Sequence, residues 1–136
     1  MTKIEEPKAI LIEVGPGELV DKITILAIKS ERMRDEGKLK NVRHELAVLD
    51  AARRAHIPAS AELTRLEAAL KEVNEALWVI EDDIRQCEAD KDFGPKFVEL
   101  ARSVYKQNDK RAALKKDINL LTGSSIIEEK SYTEFE

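Results

Sequence analysis

Three polar residues in the fourth predicted helix stand where its apolar stripe should continue. The stripe includes Phe97 and Val104, and at the same helical spacing it then reaches Asn108, Arg111 and Lys115. Residues three or four apart lie on one face of an α-helix. An arginine and a lysine on a core-facing stripe can hold an anionic group, because a guanidinium binds carboxylates and phosphates through paired hydrogen bonds.

The third predicted helix carries a matching polar stripe beside its apolar seam. At spacings of four, three and four residues the stripe contains Asn74, Trp78, Glu81 and Arg85. If the third and fourth helices face each other, Glu81 and Arg85, with Asp82 or Asp83 nearby, approach Asn108 and Arg111.

Three interpretations of these polar residues stay open. A structural network of buried ion pairs and amides would fix the register between the helices. A pocket for a charged small molecule would hold an anionic group with Arg85, Arg111 and Lys115, and would use Glu81 or Asp82 as acid, base or hydroxyl acceptor. The third interpretation is simple exposure to water. We favour the structural network, because charged residues in such positions frequently have only a structural role.

The first predicted helix supplies a second charged cluster, which contains Asp21, Lys22, Lys29 and Arg32. We favour lysine side chains that extend along apolar surface to reach water, and the alternative is that they converge on Arg111. Tyr105 joins the candidates, although an aromatic residue at such a position more often packs between helices. The candidate polar site therefore contains Asp21, Lys22, Lys29, Glu81, Asp82, Arg85, Tyr105, Asn108, Arg111 and Lys115.

No other motif predicts chemistry. The Gly-Pro-Gly at residues 15–17 is interpreted as a plain turn, since it lacks the spacing of a dinucleotide loop or a P-loop. His44 and His56 have no partners at metal-ligand spacing, and Cys87 lies on the apolar seam of the third helix. We therefore predict neither a bound metal nor a cofactor.

Composition limits the classes of function. The 136 residues suffice for one domain, and 43% apolar with 37% charged residues suits long amphipathic helices. The net charge of −4 argues against general nucleic-acid binding. Residues 1–7 lack the apolar run of a signal peptide, no stretch is long enough to span a bilayer, and a single cysteine fits a reducing compartment. We expect a soluble, cytoplasmic protein.

Hydrophobic periodicity predicts a mainly α fold, an antiparallel bundle of about four helices in a single domain covering residues 1–136. The predicted helices cover residues 17–35, 38–55, 60–89 and 95–121, and predicted short strands at 9–14 and 125–132 would form a minor β element. The seam of the third helix follows a heptad-like spacing through Leu63, Leu66, Leu70, Val73, Leu77, Ile80, Ile84 and Cys87. This spacing predicts long, coiled-coil-like third and fourth helices.

Several segments together resemble a bacterial family known only as a domain of unknown function, number 6165, over nearly the whole chain. These segments are residues 17–29, 77–85, 100–112, 123–124 and 128–132. The resemblance implies no established reaction, cofactor or partner, but it implies an association with surface-polysaccharide genes. The segments include Asp21, Lys22, Glu81, Asp82, Arg85, Asn108 and Arg111.

We interpret the chain as a non-catalytic binding or protein-interaction module with a charged inter-helix pocket for an anionic small molecule. A homodimer through the seam of the third helix is also predicted. The alternative is a small enzyme that acts on an anionic metabolite or sugar nucleotide in surface-polysaccharide metabolism. An exposed seam would favour the dimer, and a concave pocket that unites Lys22, Glu81, Arg85 and Arg111 would favour the enzyme.

Overall fold

The computed structural model describes residues 9–135, which form four α-helices: α1 (Pro16–Arg32), α2 (Glu36–His56), α3 (Ala61–Ala89) and α4 (Pro95–Leu121). The mainly α fold class is confirmed. Residues 1–7, which lack the apolar run of a signal peptide, lie outside the described residues. Between residues 9 and 135, no helix combines the length and the apolar character needed to cross a membrane.

Side-chain caps mark the starts of α2 and α3. The Asp35 carboxylate accepts a hydrogen bond from the Lys38 amide at 2.9 Å, and the Ser60 hydroxyl accepts one from the Leu63 amide at 3.0 Å. The first helix was predicted to continue to residue 35 and to stop before Gly37. It ends at Arg32, because Asp35 caps α2 and Gly37 lies in the first turn of that helix.

The predicted minor β element is wrong. Residues 9–14 and 125–132 contain no strand, and Leu11 is 94% exposed. The C-terminal segment, residues 124–135, contacts α4 through side chains instead of pairing with the N-terminal segment. A strand needs a neighbour with unused backbone donors and acceptors, and inside α4 these groups already bond to one another.

The core lies where α1 meets the α3–α4 hairpin. It is built from Val20, Ile57, Leu63, Leu66, Leu70 and Ile118, with Leu19 and Leu114 packed against it. Helix α1 contacts all three other helices, and α2 packs against α1. Thr24 of α1 bonds to Asn74 of α3, and Glu31, which lies about 10 Å further along α1, bonds to Lys71. Because these two partners are only three residues apart on α3, α1 crosses α3.

Burial of the α3 seam differs along the hairpin. In the proximal half, residues 61–78 and 108–121, Leu66 and Leu70 are buried against α1 and α4. In the distal half, residues 83–101, the seam residue Cys87 is buried and Ile84 is half-buried, whereas Phe93 and Val98, which lie outside the seam, are about half exposed. None of the eight seam residues is exposed, so the α3 seam is largely covered within the chain, and a homodimer through this helix stays a prediction.

Candidate functional site

A buried carboxylate joins three helices at the centre of the molecule. Asp21 of α1 accepts hydrogen bonds from Arg111 of α4, through Nε at 2.9 Å and through Nη2, and from the Nδ2 of Asn74 of α3 at 2.9 Å. Asn74 also donates to the Thr24 hydroxyl oxygen at 2.9 Å, and this hydroxyl donates to the Asp21 backbone carbonyl at 2.7 Å. We call these four residues the Asp21 network.

The Asp21 network fixes the orientation and the charge of Arg111. The hydrogen bond with Asp21 raises the pKa of Arg111 above its ordinary value despite partial burial, and the charges of Glu18 and Glu128 act in the same direction. A guanidinium has five N–H groups, and two of them point at Asp21, so three remain directed elsewhere. The Arg111 side chain keeps 31% of its surface exposed, and it borders two cavities.

The smaller cavity, called here the α3 pocket, has a volume of about 380 Å³ and lies between α1, α3 and Arg111. Its walls combine three cations, two carboxylates, an amide and apolar side chains. They are Lys29, Arg85, Arg111, Glu81, Asp82, Asn74, Ile25, Ile28, Leu77 and Trp78. Arg85 and Glu81 form an i,i+4 pair at 3.7 Å, with 80% and 53% of the side chains exposed, so Arg85 is held loosely.

The larger cavity, called here the α4 groove, has a volume of about 990 Å³. It lies between the start of α1, the exposed face of α4 and the C-terminal segment. Lys115 forms part of its floor, with Nζ 2.7 Å from a Glu18 carboxylate oxygen and 3.4 Å from one of Glu128. The charge of Lys115 is therefore already balanced within the chain.

A close contact between α1 and α4 sets the position of the Asp21 network. The Gly17 amide donates to the Asn119 Oδ1 at 2.8 Å, and a Cβ atom at Gly17 would overlap the backbone carbonyl of Lys115. Only glycine permits this approach. Since Asp21 lies one helical turn after Gly17, the same contact places Asp21 opposite Arg111.

The residues of the predicted site lie in different parts of the structure. The α3 pocket contains Lys29, Glu81, Asp82, Arg85 and Arg111, and the α4 groove contains Tyr105, Asn108, Arg111 and Lys115. Asp21 lies behind Arg111, and Lys22 is exposed and lines neither cavity. The expected approach of Glu81 and Arg85 to Arg111 is seen within one pocket, whereas Asn108 faces the other cavity. That these residues bind a ligand stays a prediction.

The sequence analysis did not identify Gly17, Thr24 and Asn119 as residues that form or position the site. Two spacing signals could have revealed them. Gly17 and Thr24 flank Asp21 at i−4 and i+3, which places them on one face of α1, and Asn119 extends the polar stripe of α4 one turn beyond Lys115.

The model of a family described as "Family of unknown function (DUF6165)" matches residues 10–135. The chain belongs to this family. The match includes the Asp21 network and the residues that line both cavities. No curated protein and no solved structure shows significant similarity to the chain. Within residues 9–135, no three His, Cys, Asp or Glu side chains converge as a metal-binding group.

Proposed function

We propose that the protein is a non-catalytic binding module that holds a small anionic molecule in the α3 pocket. The observation that carries this proposal is the geometry of Arg111. Its bonds to the buried Asp21 fix one edge of the guanidinium, and Arg111 lines a cavity shared with Lys29 and Arg85.

Such a pocket favours binding because its central cation is held in place before a ligand arrives. Asp21 and Asn74 immobilise Arg111 in the folded chain, so little side-chain freedom is lost on binding. Asp21 also neutralises much of the charge of Arg111, and Glu81 and Asp82 balance Lys29 and Arg85, so the pocket offers cations and carboxylates side by side with little net charge. A ligand with one anionic group for the cations, and with hydroxyl or amino groups that donate to the carboxylates, suits this balance.

The other residues that line the pocket indicate the chemistry of the rest of the ligand. Glu81 and Asp82 can accept hydrogen bonds from hydroxyl or amino groups, while Trp78 and Leu77 provide an apolar surface. Ligand pockets commonly measure roughly 300–1,000 Å³, so a cavity of about 380 Å³ suits one molecule of metabolite size.

The alternative is a small enzyme that acts on an anionic metabolite or sugar nucleotide, as in surface-polysaccharide metabolism. The observation that favours it is the presence of Glu81 and Asp82 beside the cations of the same pocket, where a carboxyl group could act as acid or base. NMR spectra of ligand incubated with protein separate the two functions. An unchanged ligand supports the binding module, and conversion to a product supports the enzyme.

Thermal melts with phosphate, carboxylates, sugar phosphates and sugar nucleotides test the proposal. A ligand of the pocket raises the melting temperature as its concentration increases. Arg85→Gln should weaken binding about five- to tenfold, in line with the roughly 1 kcal/mol that a typical hydrogen bond contributes net of desolvation. Its matched control is Arg54→Gln on α2, because Arg54 is 81% exposed and also belongs to an i,i+4 ion pair. No shift across the panel, or equal weakening by both variants, would refute the proposal.

A homodimer is a second proposal for this chain. It is favoured by exposed apolar side chains on the distal half and next to it, at Val79, Phe93 and Val98. A second copy would cover them with its own α3–α4 hairpin. Light scattering during size-exclusion chromatography should give twice the chain mass, and Val98→Lys should return it to one chain. A single-chain mass for the unaltered protein at about 100 μM would contradict this proposal.

A further inference from the structure

Half of the chain's aromatic residues line the α4 groove. The chain has six aromatic side chains, and three of them, Tyr105, Tyr132 and Phe135, line this cavity. The rings of Tyr105 and Phe135 meet edge to face, with centroids 4.9 Å apart, and both remain about half exposed. Because the core is built from aliphatic side chains, these rings form a wall of the groove and not part of the core.

The basic side chains that line the groove already contact carboxylates. Arg111 contacts Asp21, Lys115 contacts Glu18 and Glu128, Lys116 contacts Glu129, and Lys130 contacts Glu128. Each basic group that lines the groove therefore has a carboxylate oxygen within 4.0 Å among the described residues. An anionic ligand would have to displace one of these carboxylates.

The carboxylates that line the groove are not all balanced in this way. Within residues 9–135, Glu13, Asp109 and Glu134 form no ion pair, although they line the groove. Asp109 lies one helical turn after Tyr105, and Glu134 directly precedes Phe135. The basic residues on this stretch of α4, Arg102, Lys106 and Lys110, do not line the groove. The end of the groove at the aromatic pair is therefore negatively charged.

We propose that the end of the α4 groove around Tyr105 and Phe135 binds the ammonium group of a small organic cation. The face of an aromatic ring attracts an ammonium group, and the carboxylates of Asp109 and Glu134 add opposite charge beside the rings. The C-terminal segment forms one side of this site and α4 the other. The site is distinct from the α3 pocket, because it lies in a different cavity and takes a ligand group of the opposite charge.

A buried amide at the other end of the groove indicates what else the ligand carries. Asn119 is 5% exposed, and its Oδ1 accepts from the Gly17 amide, which leaves Nδ2 as a donor. Within residues 9–135 this Nδ2 has no acceptor, yet no fully buried polar side-chain atom there lacks a partner, so Nδ2 must open into the groove that Asn119 lines.

The distance between the two ends sets the shape of the ligand. Asn119 follows Tyr105 by fourteen positions, which corresponds to about 21 Å along α4. A ligand that fills the groove is therefore elongated, with an ammonium group at the aromatic end and an oxygen acceptor at the Asn119 end.

One NMR titration can separate this site from the α3 pocket. Both tyrosines of the chain, Tyr105 and Tyr132, line the α4 groove, whereas its single tryptophan, Trp78, lines the α3 pocket. Protein with labelled tyrosine and tryptophan is titrated with choline, with putrescine, and with 3,3-dimethylbutan-1-ol, the uncharged carbon analogue of choline. A cation should shift the tyrosine signals with a millimolar Kd and leave the Trp78 indole unchanged, and the uncharged analogue should shift neither.

Variants test which groups hold the ammonium. Tyr105→Leu and Asp109→Asn should each weaken binding about two- to fivefold, read from the Tyr132 signals, and Tyr105→Phe should retain it. Asp109→Asn leaves the two rings in place, so it separates loss of charge from loss of the wall. The matched controls, Phe93→Leu and Asp117→Asn, remove an exposed ring and an exposed carboxylate outside the groove and should leave binding unchanged.

Circular dichroism of each variant verifies the fold. Tyrosine shifts with choline or with putrescine, weakened by Asp109→Asn and not by Asp117→Asn, support the site and distinguish a quaternary from a primary ammonium ligand. No shift with either cation up to about 10 mM, an equal shift with the uncharged analogue, or equal weakening by the controls would overturn the proposal. A shift of the Trp78 indole without a tyrosine shift would also overturn it, because the cation would then lie in the α3 pocket.

Discussion

Two arginine–carboxylate pairs border the α3 pocket, and they differ in nearly every physical respect. Arg111 holds Asp21 through two hydrogen bonds, and the Asp21 side chain is 1% exposed. Arg85 approaches Glu81 only to 3.7 Å, and the Glu81 side chain is 53% exposed. The first pair is part of the scaffold, whereas the second can rearrange around a ligand.

The difference follows from the lengths of the helices. Helix α1 has 17 residues and α3 has 29, which correspond to roughly 25 Å and 43 Å. Because α1 crosses the hairpin in its proximal half, it buries the Asp21 network there and leaves the distal half as two helices. The α3 pocket lies at this boundary, so one wall is rigid and the other is adjustable.

Removal of the buried carboxylate should have the largest effect. Asp21→Ala leaves Arg111 without its partner and should lower the free energy of unfolding by about 3–5 kcal/mol. Urea denaturation provides the measurement. Glu81→Gln should change stability by less than about 0.5 kcal/mol, because the exposed pair contributes little.

A double-mutant cycle sharpens this contrast. Asp21→Ala combined with Arg111→Met should cost clearly less than the sum of the single variants, since the double variant leaves no uncompensated charge. Glu81→Gln combined with Arg111→Met should be additive. Strong coupling in the second cycle, or none in the first, would show that Glu81 rather than Asp21 is the structural partner of Arg111.

Apolar residues in the two halves of the hairpin should also differ in how much their replacement lowers the stability. Leu70 is fully buried where α1 covers the hairpin, and Leu70→Ala should cost about 2–5 kcal/mol because it leaves a cavity. Val98 is about half exposed in the distal half, and Val98→Ala should cost about 1 kcal/mol or less. Similar losses would mean that the distal half is covered in solution, as in the proposed dimer.

Two glycines are each the second residue of a helix, and their replacement by alanine should change the stability in opposite directions. Gly17→Ala forces α1 away from α4 and should destabilise the protein by about 1–3 kcal/mol. Gly37→Ala in α2 meets only the Asp35 side chain, at 3.3 Å, and should be neutral or stabilising by about 0.5–1 kcal/mol. Thermal melts measure both. A stable Gly17→Ala variant would contradict the close contact that positions the Asp21 network.

The sequence was sufficient for the helical class and for placing Arg111 on the inward face of its helix, because both depend on spacing along one helix. It was not sufficient for the partner of Arg111. The facing polar stripes suggested Glu81, but the crossing of α1 brings Asp21 to Arg111, and a crossing depends on tertiary packing at Gly17. The strand prediction at residues 125–132 failed for a related reason, since composition cannot reveal that the neighbour is a helix without unused backbone groups.

The smallest predicted effect concerns the titration of Glu128, where the C-terminal segment meets α4. Its hydrogen bond with Lys130 lowers the pKa of Glu128, and the charge of Lys115 adds to this, although Glu18 shares Lys115. A lowered carboxyl pKa means that the ion pairs of Glu128 are complete above the ordinary value of about 4.5 and are lost as the pH falls through the lowered one. Carbon-detected NMR titration should show Lys130→Gln shifting the Glu128 pKa upward, whereas Lys40→Gln on α2 should not. An unchanged Glu128 pKa in Lys130→Gln would mean that the Glu128–Lys130 pair is absent in solution, and the attachment of the segment to α4 would then depend on the pairs with Lys115 and Lys116.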